Sequence, residues 1–384
     1  MLNFLEKYHI QDDVLAVGVS GGADSLALVL WLNECLSPIG KKVIALTVDH
    51  QLRPESGHEA EYVHELMARY GIEHHILVWQ GEKPTTGIEE AARFARYQLL
   101  SDWCLAHHVK CLCVAHHRLD QAETFMIRLQ RGSGLNGLCG MQEVSELYGL
   151  KLLRPFLNVS PQALKDYLKH KKINWVEDSS NECEDFLRVR VRKFLPKMES
   201  ELGIKPQRIV DTMAVLKRSR DYIQYQVTKF IKQHVRVWDN VAVSLSLSTL
   251  AQQHEEIIYN VLAVLIKQIG QSQYTARAED VERLAKEVLT EKFGGIDYWT
   301  VKLDLLQEVK TNLSTSDFKG ATLGHCEVFV ALGKLWIVPE LKIKKRLPKK
   351  LWEEFCVQNP KYAKQKLPYK LRVVLVKTKM DVEF

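Results

Sequence analysis

The first 180 residues alternate between strand-like and helix-like patterns, and this alternation limits the folds open to the chain. Short apolar runs rich in valine and leucine predict buried strands, and the longer amphipathic runs between them predict helices. Alternation at this spacing is typical of parallel βαβ units, so the predicted fold class is α/β with a doubly wound, mostly parallel sheet. The predicted strands cover residues 14–20, 42–50, 74–79 and 109–117, and the predicted helices cover residues 24–36, 55–71 and 88–108.

The pattern changes near residue 206. A long run without glycine or proline predicts a connecting helix over residues 208–235. Two more helical patterns follow, and β-like runs after residue 320 predict a small α+β part. The sequence therefore predicts three parts, namely an α/β domain over residues 1–203, a helical region over 204–310 and a small β-containing basic region over 311–384.

Charge and hydropathy limit the partners and the compartment. No apolar run approaches the length of about 20 residues that a membrane helix needs, and the first residues lack the apolar core of a signal peptide, so we expect a cytoplasmic protein that does not enter a membrane. The net charge is +6, but residues 341–384 carry thirteen Lys and Arg against four Asp and Glu. This tail predicts a nucleic-acid contact, with a merely solvated surface as the alternative. Its first basic cluster contains Lys344, Lys345, Arg346, Lys349 and Lys350.

The segment SGGADS lies between the first predicted strand and the first predicted helix. Parallel sheets bind ligands at the carboxyl ends of their strands, and the start of a helix offers N–H groups to a phosphate. Asp24 would repel a phosphate unless Mg²⁺ lay between them. The alternative is a tight turn followed by a helix cap, but five defined residues in this context favour a phosphate loop. The residues predicted to bind the nucleotide here are Ser20, Gly21, Gly22, Ala23, Asp24 and Ser25.

This loop resembles the pyrophosphate loop of the N-type ATP pyrophosphatases, the PP-loop superfamily. Four further segments resemble one family within it, the tRNA(Ile)-lysidine synthetases. They are VDHQLRPES at residues 48–56, GIEEAARFARY at 87–97, AHHRLDQAET with RLQRGSGLNGLCGM at 115–141, and LLRPFL, WVEDSSN and RVRVR within 152–192. The resemblance is close over residues 13–200, weaker through the helical region, and returns at residues 322–340.

The resemblance implies a specific reaction. Enzymes of that family use ATP to adenylate the carbonyl oxygen of the wobble cytidine in the CAU anticodon of a minor isoleucine tRNA. The ε-amine of free L-lysine then displaces AMP, and the product is lysidine. The expected partners are therefore ATP, Mg²⁺, lysine and tRNA(Ile), with the tRNA bound partly by the helical region.

The resemblance also implies roles for individual residues. Asp120 and Glu123 lie at i and i+3 of a predicted helix start, so they share a face that suits an ammonium group. Taken singly, Glu123 could be an exposed helix residue, and the arginines at 188–192 could form a solvated face. The resemblance implies a lysine site formed by Arg96, His116, Asp120 and Glu123, with His116 as the candidate base. It also implies that Asp24 holds Mg²⁺ and that Asp24, His116 and Asp120 are catalytic. Arg188 is expected to reach the ATP phosphates or the tRNA, and Arg190 and Arg192 are expected to contact the tRNA.

Two positions depart from the family pattern, and two alternatives stay open. Leu119 stands where the family usually has an acid, and Cys183 stands where it tends to have another. A tRNA-binding relative with impaired catalysis would explain Leu119, although the intact SGGADS loop argues against it. A tRNA thiolase of the same superfamily is the second alternative, and the absence of a C-x-x-C pair from the sequence argues against that one.

Overall fold

The predicted doubly wound sheet is confirmed in the first of two compact units, Met1–Lys217 and Arg218–Phe384. The computed structural model describes residues 2–52, 55–81, 83–84, 86–177, 187–238, 242–272, 275–290, 321–331 and 334–340. The sheet of the first unit contains β1 (Val14–Gly18), β2 (Lys42–Asp49), β3 (Glu73–Val78), β4 (Cys111–Cys113), β5 (Val144–Leu147) and β6 (Leu150–Leu153). Their spatial order is β3-β2-β1-β4-β6-β5, and all pairs are parallel except β5 with β6.

Helices cover both faces of this sheet because successive residues of a strand point to opposite sides. In β1, Leu15 and Val17 pack into one apolar cluster, and Ala16 packs into the other. Both faces are therefore buried, which is typical of parallel sheets. The helices of this unit are α1 (Leu2–Lys7), α2 (Ala23–Leu36), α3 (Ser56–Arg69), α4 (Ile88–Ala106), α5 (Arg118–Gln130), α6 (Leu135–Leu138), α7 (Pro161–His170) and α8 (Leu187–Leu202).

The order of the strands determines where a ligand can bind. From β1 the chain moves outward to β2 and β3, and it then returns to place β4 on the other side of β1. The register pairs Gly18 with Leu46 of β2, and Val17 with Cys113 of β4. Such a reversal leaves a crevice at the carboxyl ends of the two strands, which is where open α/β sheets bind ligands. The segments after β1 and β4 therefore meet at one edge of the sheet.

The second unit contains an antiparallel sheet and further helices. The long helix α9 (Pro206–His234) confirms the connecting helix that the sequence predicts, and the boundary between the two units falls within it. The sheet order is β7-β8-β11-β10-β9, and the apolar core packed against it includes Val243, Ile258 and Ile337. The remaining elements are β7 (Val235–Trp238), β8 (Ala242–Ser246), α10 (Leu247–Ala251), α11 (Glu255–Ile269), α12 (Ala278–Thr290), β9 (Ala321–Leu323), β10 (Cys326–Ala331) and β11 (Lys334–Pro339).

The three-part division at residues 203 and 310 stays a prediction. The basic cluster predicted at Lys344, Lys345, Arg346, Lys349 and Lys350 lies outside the described residues, and so does Cys183. Within the part of the chain that the structure describes, no helix combines the length and the apolar character needed to cross a bilayer.

Candidate active site

The loop after β1 is held by its own serine side chains. The Ser25 hydroxyl accepts from the backbone N–H of Ser20 at 3.1 Å and donates to the carbonyl of Gly22 at 3.0 Å. Gly22 is the N-cap of α2, and no side chain caps the first N–H groups of this helix. Those N–H groups would gain an acceptor from a bound anion, which the helix dipole also favours.

Gly21 has a backbone conformation that only glycine adopts easily. Its φ is +81°, and its carbonyl accepts from the backbone N–H of Val176 at 3.0 Å. A Cβ at this position would lie 3.3 Å from side-chain carbons of both Val176 and Val63. The first glycine of the loop therefore permits a left-handed turn and close packing below the loop.

Asp24 faces His117 from the other side of the crevice. Oδ2 of Asp24 lies 3.4 Å from Nε2 of His117. The backbone N–H of Asp120 donates to Nδ1 of His117 at 3.3 Å, so in the neutral imidazole the proton is on Nε2 and is directed at Asp24. Burial lowers the pKa of His117, but the hydrogen bond with Asp24 and the charge of Asp120 outweigh it and raise that pKa above its usual value. The other oxygen of Asp24, Oδ1, is buried and has no hydrogen-bond partner among the described residues.

Two carboxylates of α5 are bound by two arginines of α8. Arg188 donates from Nη2 to Asp120 Oδ1 and from Nε to Glu123 Oε2, both at 2.6 Å. Arg192, one helical turn later, donates from Nε to Glu123 Oε1 at 2.6 Å. The Glu123 side chain is fully buried, so these charge-assisted bonds compensate for the loss of its hydration.

The electrostatics of this network favour the charged forms of Asp120 and Arg188. Burial raises the pKa of the Asp120 carboxyl, but the positive charges of His117 and Arg188 outweigh burial and hold that pKa below its usual value. Burial acts in the opposite direction on the Arg188 guanidinium, whose pKa is nevertheless raised by Asp120 and Glu123. Asp120, Arg188 and Arg192 are thus ionised at neutral pH.

His116 and Arg96 lie at the same edge without such partners. Burial lowers the pKa of His116 to about 3, against the opposing charge of Asp120, and its Nδ1 is buried with no hydrogen-bond partner among the described residues. The Arg96 guanidinium lies over the ring of Tyr97 at 5.4 Å, and burial lowers its pKa. No carboxylate of the described chain lies within 4.0 Å of Arg96, so its charge is available to an anionic ligand.

These groups surround one cavity of about 680 Å³ in the first unit. The loop residues Ser20 and Ser25 line one part, and β2 and α4 contribute apolar walls through Leu46, Val48 and Leu100. The volume is that of a typical cofactor or substrate site. The predicted site residues that line the cavity are Ser20, Gly22, Asp24, Ser25, Arg96, His116, Arg188 and Arg192.

The remaining predicted residues lie around the cavity or elsewhere. Gly21 packs near Val63 and Val176, and Ala23 is buried in the apolar core of the first unit. Asp120 and Glu123 adjoin the cavity through the arginines they bind. Arg190 is exposed and lies on the face of α8 opposite Arg188 and Arg192. The roles predicted for these residues stay predictions.

His50 is a cavity residue that the sequence analysis missed. It follows β2, its Nδ1 is buried without a hydrogen-bond partner among the described residues, and its ring packs edge-on against Trp79 at 5.8 Å. Burial lowers the pKa of His50, and the charge of Arg96 adds to this effect. The available signal was its position at the carboxyl end of the strand next to β1.

Leu119 has a structural explanation. It is partly buried against the apolar cluster that includes Ala122, Leu195 and Met213. An acid at this position would have to leave that cluster or lose its hydration within it. The departure from the family pattern is therefore accommodated by packing between α5 and the helices beside it.

Hydrogen bonds hold the segment after α5 against that helix. The Gln121 side chain exchanges two hydrogen bonds of 2.8 Å with the backbone of Met141, and Arg128 donates to the carbonyls of Gly137 and Gly140 at 2.6 and 3.0 Å. The glycine-rich motif seen in the sequence therefore forms a defined loop beside α5.

Comparisons with known proteins show the family of the chain. A family model described as a PP-loop domain matches residues 1–199. A tRNA(Ile)-lysidine synthase of Wolbachia pipientis wMel is 33% identical over 364 residues, which cover 88% of this chain and 84% of the relative. One of Hyphomonas neptunium is 31% identical, covering 86% of this chain and 82% of the relative. A third, from a Wolbachia of Brugia malayi, is 34% identical, and the match covers 75% of this chain and 67% of the relative.

The matched regions extend beyond the PP-loop domain. The first of these relatives aligns over most of both chains, so the similarity includes part of the second unit as well as the sheet that carries the candidate site. The resemblance found from the sequence motifs is thereby confirmed, and the chain belongs to the tRNA(Ile)-lysidine synthase family.

Proposed function

We propose that this protein converts the wobble cytidine of a CAU-anticodon tRNA(Ile) to lysidine. In the first step the carbonyl oxygen of the cytosine ring attacks the α-phosphorus of ATP, and pyrophosphate leaves. In the second step the ε-amine nitrogen of free lysine attacks the same ring carbon, the amine loses a proton, and AMP leaves with the oxygen. The observation that carries this proposal is one cavity that combines the SGGADS loop with Asp24, His116 and Arg96.

ATP binding is supported by the loop after β1. Uncapped N–H groups at the start of α2 and the hydroxyl of Ser20 face the cavity beside Gly22. These donors suit the oxygens of a triphosphate. The apolar walls from Leu46, Val48 and Leu100 suit an adenosine moiety.

Asp24 fits the role of a Mg²⁺ ligand. Its Oδ1 is buried without a hydrogen-bond partner among the described residues, which is costly for a carboxylate oxygen unless a cation compensates. No group of three or more His, Cys, Asp or Glu side chains in the described segments could hold a metal by itself, so Mg²⁺ would also need oxygens from the phosphates. Bound there, Mg²⁺ would neutralise charge on the phosphates.

Lysine binding is supported by complementary charges in the same site. The Arg96 guanidinium suits the lysine carboxylate. Asp120 Oδ1 and Glu123 Oε2 suit an ammonium group, but Arg188 contacts both oxygens. Lysine can bind these oxygens only if Arg188 leaves them, and the phosphates of ATP offer that arginine an alternative anionic partner. We therefore expect ATP to bind before lysine.

His116 can act on the proton of the lysine amine because it is neutral. Its low pKa of about 3 makes it a weak base, although the negative charges of a bound triphosphate would raise that pKa. This assignment stays a prediction, together with the roles of Arg190 and Arg192 in binding the tRNA.

The thiolase alternative receives no support from the described residues. No cysteine is among the residues that line the cavity. Cys104 and Cys111 are buried, and burial raises the pKa of each thiol to about 12, which leaves them protonated. A thiolase would need a reactive, ionised thiol or a cluster ligand near the nucleotide.

The proposal is tested by measuring AMP release from ATP with single components left out. We expect release to require both free lysine and tRNA(Ile) with a CAU anticodon, and to fail with the same tRNA carrying uridine at the wobble position. Release that depends on a sulfur donor instead of lysine would support the thiolase. Release that needs no tRNA would contradict the proposal.

A further inference from the structure

The outer face of α9 carries a regular stripe of basic and aromatic side chains, which we call the α9 stripe. Its members are spaced by four, three, four and three residues, so they lie within an arc of about 80° on an α-helix and extend about 21 Å along it. All belong to the second unit, and all are exposed. The stripe consists of Arg218, Tyr222, Tyr225, Lys229 and Lys232.

The opposite face of α9 packs into the apolar core of the second unit. Val227 and Phe230 are buried in the apolar core of the second unit, and Ile223 packs against it. The helix is thus fixed by one face, and the stripe faces outward. Tyr222 and Tyr225 are 64% and 62% exposed, which is unusual for two large aromatic side chains on one helix.

The segment of the chain that contains the stripe is strongly basic. Residues 217–236 contain six Lys and Arg and one Asp. That aspartate, Asp221, is engaged by Arg220, a buried arginine that donates to it at 2.7 Å. Among the described residues, Arg218, Lys229 and Lys232 have no acidic partner within 4.0 Å. Their charges are therefore not neutralised by the described part of the chain.

We infer that the α9 stripe binds the tRNA substrate, with the cations on phosphates and the tyrosines stacked on unpaired nucleotides. Exposed aromatic rings between basic side chains are the pattern of surfaces that bind unpaired RNA, because every base has a face on which a ring can stack. Interfaces with other proteins are depleted in lysine, whereas two of the five stripe residues are lysines. The inference rests on the proposed function for the identity of the RNA.

The test compares tRNA binding by the full-length protein and by variants of the stripe. The first variant replaces Tyr222 and Tyr225 with alanine, and the second replaces Arg218, Lys229 and Lys232 with glutamine. A double phenylalanine variant at the two tyrosines should retain stacking. Lys286→Gln, an exposed lysine of α12, is the matched control for loss of charge. The readout is the Kd for transcribed tRNA(Ile) at several salt concentrations.

We expect the alanine variant to bind at least about tenfold more weakly and the phenylalanine variant to bind like the parent. The glutamine variant should reduce the slope of log K against log salt by about two, because each phosphate contact contributes about 0.7 to 0.9. Thermal unfolding of every variant should match the parent, since the altered side chains are exposed. Parent-like affinity and salt slope in both variants would overturn the inference.

Two further outcomes separate this inference from the proposed function. If the parent forms no lysidine but the stripe variants still lose tRNA affinity, the proposed function fails and the stripe stands. If the parent forms lysidine and the stripe variants bind tRNA normally but change the sedimentation of the protein, the stripe is an interface between copies of the chain and the inference is wrong.

Discussion

Arg188 Nη2 lies 2.6 Å from Asp120 Oδ1, so the carboxylate that we propose as a ligand of the substrate lysine is bound by a cation of the protein itself. The same guanidinium contacts the buried Glu123. Ion pairs with this little exposure persist only when both partners are retained or exchanged for equivalent ones. The ammonium group of the proposed substrate lysine would be such an equivalent, and the first two predictions follow from this.

Asp120→Asn should raise the KM for lysine about tenfold or more, with a much smaller effect on the KM for ATP. The physical reason is the loss of a charge-assisted contact to the ammonium, which contributes about 1.5–3 kcal/mol. Steady-state kinetics with each substrate varied in turn measure the effect. Asp166→Asn, an exposed aspartate that accepts from Gln162, is the control. An unchanged lysine KM in Asp120→Asn would remove Asp120 from the lysine site.

Arg192 and Arg190 lie on opposite faces of α8 and provide a matched pair of arginine variants. Arg192→Gln should lower the free energy of unfolding by about 1.5–3 kcal/mol, because Glu123 is fully buried and loses a charged partner. Arg190→Gln should leave unfolding within about 0.5 kcal/mol of the parent, since Arg190 is exposed. Urea denaturation measures both. Equal destabilisation by the two substitutions would contradict the network described for Arg192.

Asp24→Asn should preserve the fold and reduce AMP release by at least about 100-fold, because the phosphates lose the carboxylate that would hold Mg²⁺. The Mg²⁺ concentration for half-maximal activity should rise in the variant. Thermal unfolding and activity titrations against Mg²⁺ check both statements. Activity equal to the parent at low Mg²⁺ would show that Asp24 does not hold the metal.

His74 should make stability depend on pH. It is buried, its Nε2 lies 2.8 Å from the Thr47 hydroxyl, and its Nδ1 lies 3.1 Å from Nδ1 of His64. Burial, with a smaller effect of the positive charge of His64, lowers the pKa of His74 from 6.5 to about 4. Between these values the unfolded chain binds the proton more readily, so the free energy of unfolding falls as pH falls from 6.5 towards 4.

At pH 5 this loss should reach about 2 kcal/mol relative to pH 7.5. In His74→Gln the fall over the same range should be smaller by that amount, whatever the stability of the variant at pH 7.5. Urea denaturation of parent and variant at the two pH values gives the difference. Identical pH slopes would show that His74 does not titrate as described.

The strands of the first sheet were predictable because strand-like and helix-like runs alternate along the first 180 residues, and each run can be recognised from its own residues. The sequence did not predict the pairs β5–β6 and β7–β8, whose strands have four or five residues and too few side chains to display alternation. It also placed the connecting helix within two residues of α9, because the 28 residues 208–235 have helical periodicity and contain no glycine or proline.

The site was predictable where it depends on the ends of strands. The loop after β1 and His116 after β4 had to meet at one sheet edge. The pairing of α8 with α5 was not predictable, because Arg188 and Asp120 are 68 residues apart and spacing carries no information across that distance. Arg190 lies on the opposite face of α8 from Arg188 and Arg192 because this segment is helical. On a strand the three side chains would lie on one face.

The central claim is that this chain joins free lysine to the wobble cytidine of tRNA(Ile). The most direct test incubates the protein with ATP, Mg²⁺, isotopically labelled lysine and the CAU tRNA, digests the product to nucleosides and measures their masses. We predict that the wobble cytidine gains the mass of lysine less one water, with one AMP formed for each labelled nucleoside. An unmodified cytidine together with continued AMP release, or a sulfur-containing nucleoside, would contradict the account.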